Sequence, residues 1–220
     1  MIAFENVSKT YRGHHLRKQV FSNLNFTIQP GESIGICGAN GAGKSTLLRL
    51  IAGIEFPTAG RIVRNMSTSW PIGFASCFQP HLTGADNVRF IARIYQQDEA
   101  ALLDFVEDFA QLGVYLNQPV ASYSSGMVAR LAFGTSLSIR FDCYLVDEIT
   151  AAGDARFRRK CDEALLERRD NATLIMTSHD PYTLEHYCAR GAVLYCGSLV
   201  FFDTIIEACE VHHALQMRSA

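Results

Sequence analysis

No stretch of this 220-residue sequence approaches the ~20 consecutive apolar residues that a bilayer-spanning helix needs, so any membrane association is expected to run through a partner protein. The opening Met1-Ile-Ala-Phe-Glu-Asn6 lacks the basic segment and apolar core of a secretory leader, and no signal peptide is expected. Neither sign of charge is in large excess. Lys and Arg number 20 against 22 Asp and Glu, for a net charge of −2, which argues against a nucleic-acid partner held mainly through its phosphates. The seven cysteines are an odd number without C-x-x-C spacing, and most lie in apolar segments. They read as buried thiols of a reducing compartment, with no disulfide and no metal site. There is no internal repeat and no low-complexity segment. With 48% hydrophobic and 19% charged residues the chain has material for a packed core and no sign of global disorder. Its length fits one large domain, or one domain carrying a subdomain.

What is present is a phosphate-binding loop. Gly38, Ala39, Asn40, Gly41, Ala42, Gly43, Lys44 and Ser45 form a complete G-x-x-x-x-G-K-S run. It follows an apolar stretch, Ser33 to Cys37, that reads as a buried strand. It precedes a helical stretch from Thr46 to Ala52 that Gly53 can cap. Strand, loop and helix in that order turn successive backbone N–H groups and a helix dipole toward one point, which suits a polyphosphate. The glycines admit backbone angles and close approaches that a Cβ would block. Lys44 supplies a mobile charge for the β- and γ-phosphates, and the Ser45 hydroxyl a ligand for Mg²⁺. The loop indicates ATP or GTP without indicating what the energy is used for.

Around it, residues 1–7 and 19–28 read as strands, joined by a polar, basic connection from Tyr11 to Lys18 that has the character of a solvated hairpin tip. Arg61 to Arg64 and Ile72 to Ala75 read as short strands. The period then changes. Ala85 to Gln97, Glu99 to Leu112 and Met127 to Ile139 carry apolar residues at helical spacing, so an all-helical insertion of roughly residues 80–140 is expected within an α/β domain. A strand at Cys143 to Val146, a charged helix at Ala155 to Arg169, a strand at Thr173 to Thr177, a short helix after Pro181, a strand pair at Ala192 to Phe202 and a terminal amphipathic helix complete the chain. Alternation of this kind indicates a mostly parallel sheet with crossover helices.

The strand from Cys143 ends in Asp147 and Glu148. A carboxylate at the carboxyl end of a strand beside a phosphate loop is placed to hold Mg²⁺, the role read for Asp147. Glu148 is then the candidate base that orients and activates water. Phosphoryl transfer needs mainly positioning and charge stabilisation, so one acidic group in line with the γ-phosphate is the minimum equipment.

Just upstream lies Tyr123-Ser124-Ser125-Gly126-Met127-Val-Ala-Arg130, and here the chain resembles the ATP-binding-cassette family, whose signature is Leu-Ser-Gly-Gly-Gln followed by an Arg three residues on. Ser124, Gly126 and Arg130 match; Tyr123, Ser125 and Met127 depart from it. The resemblance implies that Ser124, Ser125, Gly126 and Met127, at the positive end of a helix, meet the γ-phosphate of a second subunit, so that ATP lies between the two copies of a homodimer. It implies further roles for single positions. Tyr11 would stack on adenine, Gln79 would contact Mg²⁺ and water, His179 would contact the γ-phosphate, and Asp154 would sit in the dimer-contact loop, where Ile149 and Gly153 replace the usual Pro and Leu. The loop residues through Thr46 complete the nucleotide-binding set. The six motifs, in the family's order, cover nearly the whole chain.

The implied fold is α/β: one cassette domain over 1–220, with a phosphate-loop core and mostly parallel sheet, an antiparallel β subdomain, and the inserted all-helical subdomain. The altered signature, the run from Asp147 to Phe157, Ser69 to Phe74, and Leu82 to Val88 resemble the polysaccharide-export branch, above all ATPase subunits of capsular polysaccharide exporters. No carbohydrate-binding extension after the ATPase core is expected. The resemblance implies ATP and Mg²⁺ as cofactors and two integral membrane permease subunits as partners. It implies an indirect link to periplasmic and outer-membrane export machinery, no nucleic acid, and a peripheral place on the cytoplasmic face of the bacterial inner membrane. His81, Leu82 and the helices that follow are the candidate permease contact. Export of O-antigen or teichoic acid is the alternative cargo, and a soluble cassette acting on DNA or ribosomes the alternative class. A P-loop kinase of small metabolites is disfavoured by the signature stretch and Glu148.

Overall fold

The computed structural model describes residues 1–13, 17–73, 77–148 and 154–219. In chain order the elements are β1 (Ile2–Arg12), β2 (Arg17–Ile28), β3 (Ser33–Cys37), α1 (Lys44–Ala52), β4 (Ala59–Arg64) and β5 (Thr68–Pro71). There follow α2 (Gly84–Ile94), α3 (Glu99–Ala110), α4 (Ser125–Ser138), β6 (Cys143–Asp147) and α5 (Ala155–Asn171). The last are β7 (Thr173–Thr177), α6 (Pro181–Tyr187), β8 (Arg190–Tyr195), β9 (Ser198–Phe202) and α7 (Ile205–Ser219). The chain divides into two compact units. One holds Met1–Pro71, Phe141–Glu148 and Glu167–Ala220, the other Ile72–Arg140 and Ile149–Leu166.

The first unit carries both sheets. A three-stranded antiparallel sheet has the order β2-β1-β4, and a six-stranded sheet the order β5-β6-β7-β3-β8-β9. The larger sheet is parallel from β5 to β8, with β9 antiparallel at the edge. Strands β3, β6 and β7 read as continuous apolar runs because helices cover both faces: α1 lies against β5 and β6, α6 and α7 against β3. Phe21, Ile34, Leu47, Leu48, Leu145 and Ile175 belong to one buried cluster that joins the two sheets through α1. All seven cysteines are free thiols, four of them buried.

Two strand expectations are corrected. β1 does not stop at residue 7 but runs to Arg12, because Thr10, Tyr11 and Arg12 pair with Gln19, Lys18 and Arg17. Asn6 takes φ 52°, and register shifts between Phe4 and Thr10 break the two-residue alternation that would have revealed the continuation. Tyr11 therefore stands in a strand, not in a hairpin tip; His14, His15 and Leu16 of that connection lie outside the described residues. The strand expected at Ile72 to Ala75 is instead β5, four residues earlier. Ile72 and Gly73 form a turn, and Phe74 and Ala75 lie outside the described residues. Polar Thr68 and Ser69 hid it from an apolar count. Ser69 is fully buried and its hydroxyl accepts the Leu145 N–H at 2.9 Å, while Trp70 meets the Phe141 ring edge-on.

The second unit is helical. Each expected helix has a polar side chain at its start: Thr83 accepts the Asp86 N–H at 3.0 Å, Asp98 the Ala101 N–H at 2.7 Å, and Ser124 the Met127 N–H at 3.3 Å. α2 ends at Ile94 rather than near Gln97, since Gln96 turns left-handed and the Gln97 N–H reaches back to the Ala92 carbonyl at 2.8 Å. α3 ends at Ala110 for the same reason, with Gln111 at φ 52°. Phe109 stacks on Phe105 and Phe133 and meets Phe157 edge-on.

Asn87 is 3% exposed, and its amide is fully used. Its Oδ1 accepts the Gln79 N–H at 2.8 Å, and its Nδ2 donates to the carbonyls of Gln79 at 3.1 Å and Thr83 at 2.9 Å. Asn87→Ala strands these buried backbone groups and is expected to cost about 1–3 kcal/mol, read as a lowered Tm in thermal unfolding. An unchanged Tm would show that the Gln79 segment is held by other contacts.

Candidate functional site

The phosphate loop leaves β3 at the carboxyl edge of the parallel sheet and enters α1. Gly41 and Gly43 have φ of 77° and 112°, a region that L side chains rarely adopt. A Cβ on Gly43 would also stand 2.5 Å from Val20 Cγ1 and 3.0 Å from the Phe21 ring, so β2 leaves no space for a side chain there. The Ala42 N–H closes a turn onto the Ala39 carbonyl at 3.1 Å. Lys44 Nζ donates to the carbonyls of Gly38 at 2.5 Å and Ala39 at 3.3 Å, neither of which carries a net charge. The loop and its surroundings line a cavity of about 290 Å³. Its wall includes Asn40, Gly41, Lys44, Ser45, Asp147 and Glu148. A glycine cradle, a lysine that pairs with no carboxylate among the described residues, a hydroxyl and two carboxylates around one cavity form a donor set that fits a magnesium-bound nucleoside triphosphate.

The carboxylates are placed by the sheet. Asp147 ends β6 and is paired in register with Thr177 of β7, whose hydroxyl donates to Asp147 Oδ1 at 2.7 Å. One oxygen is thereby oriented, and the residue forms part of the cavity wall. Glu148 turns the chain away from the sheet. It takes φ 51°, and its N–H donates to the Thr177 carbonyl at 3.0 Å. Its Oε1 is hydrogen-bonded to Nδ1 of His179, which follows β7 by two residues. Thus Asp147, Glu148 and His179 are brought together with the loop residues, and Thr177, not singled out by sequence reasoning, holds the group in register. A threonine in an apolar strand offers no sequence signal of that role.

Tyr11 lies on the same cavity, with its hydroxyl 2.6 Å from Glu55 Oε2 and 3.3 Å from the Thr46 hydroxyl. Glu55 was not anticipated either.

The remaining predicted residues belong to the helical unit. Gln79 is exposed, its backbone clasped by Asn87. Ser124 caps α4. With Gly126, Met127 and Arg130 it lines a second cavity of about 430 Å³, while Ser125 is exposed at the first helical position. Tyr123, a departure from the signature, donates its hydroxyl to the Tyr115 carbonyl at 2.6 Å, so it anchors the segment ahead of the cap. Arg130 pairs with Asp154 at 2.9 Å, and its guanidinium lies 4.8 Å from the centre of the Phe157 ring. Asp154 caps α5 by accepting the Phe157 N–H at 2.9 Å. That bond, reinforced by Arg130, holds its carboxyl below the usual range. Ile149 and Gly153 lie outside the described residues.

Among the described residues no helix is long and apolar enough to cross a membrane, and no cluster of three or more His, Cys, Asp or Glu forms a metal site.

Residues 21–151 match the ABC transporter family. The capsule polysaccharide export ATP-binding protein CtrD of Neisseria meningitidis serogroup B is 48% identical over 98% of this chain and 100% of its own. The polysialic acid transport ATP-binding protein KpsT of Escherichia coli is 50% identical over 94% of this chain and 96% of its own. Among solved structures, a dimeric, post-hydrolysis ATP-binding cassette bound to ADP and Pi superposes with a TM-score of 0.79. It covers 92% of this chain and 98% of that one at 22% identity, a likeness of fold. Phosphate loop, strand-end carboxylates, signature helix and fold converge: this chain belongs to the ABC transporter family and is an ATP-hydrolysing cassette.

Proposed function

We propose that the chain is the ATPase subunit of an exporter that drives capsular polysaccharide through a separate membrane permease, working as a homodimer on the cytoplasmic face of the inner membrane. The observation that carries the chemistry is the single cavity where Lys44, Ser45, Asp147 and Glu148 converge. The cargo rests on the near-full-length likeness to ATPases named for capsule polysaccharide and polysialic acid transport.

The phosphates of ATP are held by the N–H groups of Gly38 to Thr46 and by the Lys44 ammonium. Ser45, Asp147 and Gln79 are the residues that would hold Mg²⁺, which would supply neutralisation of phosphate charge. Thr177 keeps the Asp147 carboxylate oriented through its 2.7 Å hydrogen bond. Glu148 accepts the proton of the attacking water at a carboxylate oxygen, and His179, bonded to its Oε1, fixes the direction in which that carboxylate points. Ser124, Ser125, Gly126 and Met127 of a second copy supply helix-end donors to the γ-phosphate, and Asp154 contributes to the dimer contact. ATP thereby stabilises the closed dimer over the open one. The permease, docked near His81 and Leu82 in two copies, follows that equilibrium.

In a strain lacking this chain, surface polysaccharide is expected to disappear and polymer to accumulate inside the cell. The native sequence is expected to restore export. Normal export in the deletion strain would overturn the proposed cargo, and quantitative staining of surface and lysate polymer distinguishes the outcomes.

A further inference from the structure

We infer that Glu55 is a positioning residue for nucleotide binding: it locks the Tyr11 ring in place against the phosphate-loop helix. This rests on the reading of Tyr11 as the adenine platform.

Tyr11 stands one residue before the end of β1 and is 38% exposed. Exposure leaves the ring angle less constrained by packing than that of a core aromatic. Its hydroxyl does the fixing. It donates to Glu55 Oε2 at 2.6 Å, which leaves the Thr46 hydroxyl, 3.3 Å away, to donate to the phenol oxygen.

Glu55 is itself held from several sides. Lys9 Nζ lies 2.9 Å from Oε2, and Arg49 Nε 3.4 Å from Oε1. The Glu55 N–H donates to the Arg49 carbonyl at 3.2 Å, and Arg49 Nε donates to the Ser45 carbonyl at 3.2 Å. Lys9, 9% exposed, also donates to the Phe56 carbonyl at 2.9 Å and stands 5.0 Å from the centre of the Tyr11 ring. Partial burial opposes ionisation of Glu55, but the hydrogen bonds from Tyr11 and Lys9 outweigh it and keep the carboxyl below its usual range.

The chain of contacts runs from the ring to Glu55 to Arg49 to the Ser45 carbonyl, and from the ring to Thr46 directly. Base platform and phosphate cradle are therefore fixed at a set separation before nucleotide arrives. The entropy of ordering the ring is paid on folding, so more of the stacking energy appears as affinity. Neither two-charge pairing nor a lone exposed tyrosine would accomplish this; the shared hydroxyl does.

The test compares ATP with inorganic tripolyphosphate, which has the phosphates but no base. In titrations of the full chain, Glu55→Ala and Tyr11→Phe are each expected to weaken ATP binding by roughly 3–10-fold, as loss of a charge-assisted hydrogen bond implies, and to leave tripolyphosphate binding unchanged. The double variant is expected to bind ATP no worse than either single one, because both remove the same bond. Equal losses for both ligands would make Glu55 a structural support of the helix and overturn the inference. So would unaltered ATP binding in Glu55→Ala and Tyr11→Phe while Tyr11→Ala binds ATP poorly. Unchanged ATP binding in Tyr11→Ala would instead refute the adenine platform itself. Tyr11→Phe removes one hydroxyl from an exposed edge and keeps the ring, so the comparison stands even if Glu55→Ala folds poorly.

Discussion

Glu148→Gln is expected to lower the rate of ATP hydrolysis by about 10²–10⁴-fold while ATP binding is retained, the range over which positioned general bases contribute. The amide keeps the size of the side chain and can still meet Nδ1 of His179, so the local geometry survives. What it loses is the capacity to take a proton from water at neutral pH. ATP that is bound but not hydrolysed keeps favouring the closed pair, so the variant is also expected to elute as a dimer in the presence of ATP and Mg²⁺. Phosphate release and size-exclusion chromatography read the two effects separately. Hydrolysis at near-native rate would remove Glu148 from the role of base. A slow enzyme that stays monomeric with ATP would leave the base in place and refute the shared site.

Lys44→Ala acts one step earlier. Among the described residues Lys44 Nζ is held by the two carbonyls of Gly38 and Ala39 and by no carboxylate, so removing it leaves no buried charge behind and the fold should melt at nearly the native temperature. In the loaded site the ammonium is expected to replace those carbonyls with phosphate oxygens. Two charge-assisted bonds at ~1.5–3 kcal/mol each imply an affinity loss on the order of 10²-fold or more. Unchanged titration by ATP would refute the phosphate role. A variant that loses both ATP and thermal stability would show the lysine to be part of the scaffold.

The parts of this site that sequence makes visible are those whose chemistry is local. Gly38 to Ser45 announce themselves because the loop's dihedrals, its lysine and its hydroxyl lie within eight consecutive residues. Asp147 and Glu148 are visible because an apolar strand of fixed rise must end somewhere, and it ends on acids. The caps Thr83, Asp98 and Ser124 are similarly local. What sequence conceals is whatever depends on pairing between distant segments. Thr177 matters because β6 and β7 are in register 30 residues apart, and Glu55 because β1 continues five residues beyond its apparent end. β5 is hidden for a different reason. Its inward-facing Ser69 satisfies a strand amide rather than filling hydrophobic volume, so counting apolar residues moves the strand four places downstream. Asn87 looks like any polar residue on a helix until its amide is seen holding the backbone of Gln79.

The left-handed backbone at Glu148 bears on how this protein can be engineered. A β-carbon in that conformation costs roughly 1–2 kcal/mol, which glycine avoids entirely and asparagine in part. A library sorted for heat resistance alone would therefore drift toward those residues at position 148. It would yield sturdier chains that fill their sites with fuel and never burn it. Any directed-evolution scheme here needs turnover in the screen from the first round.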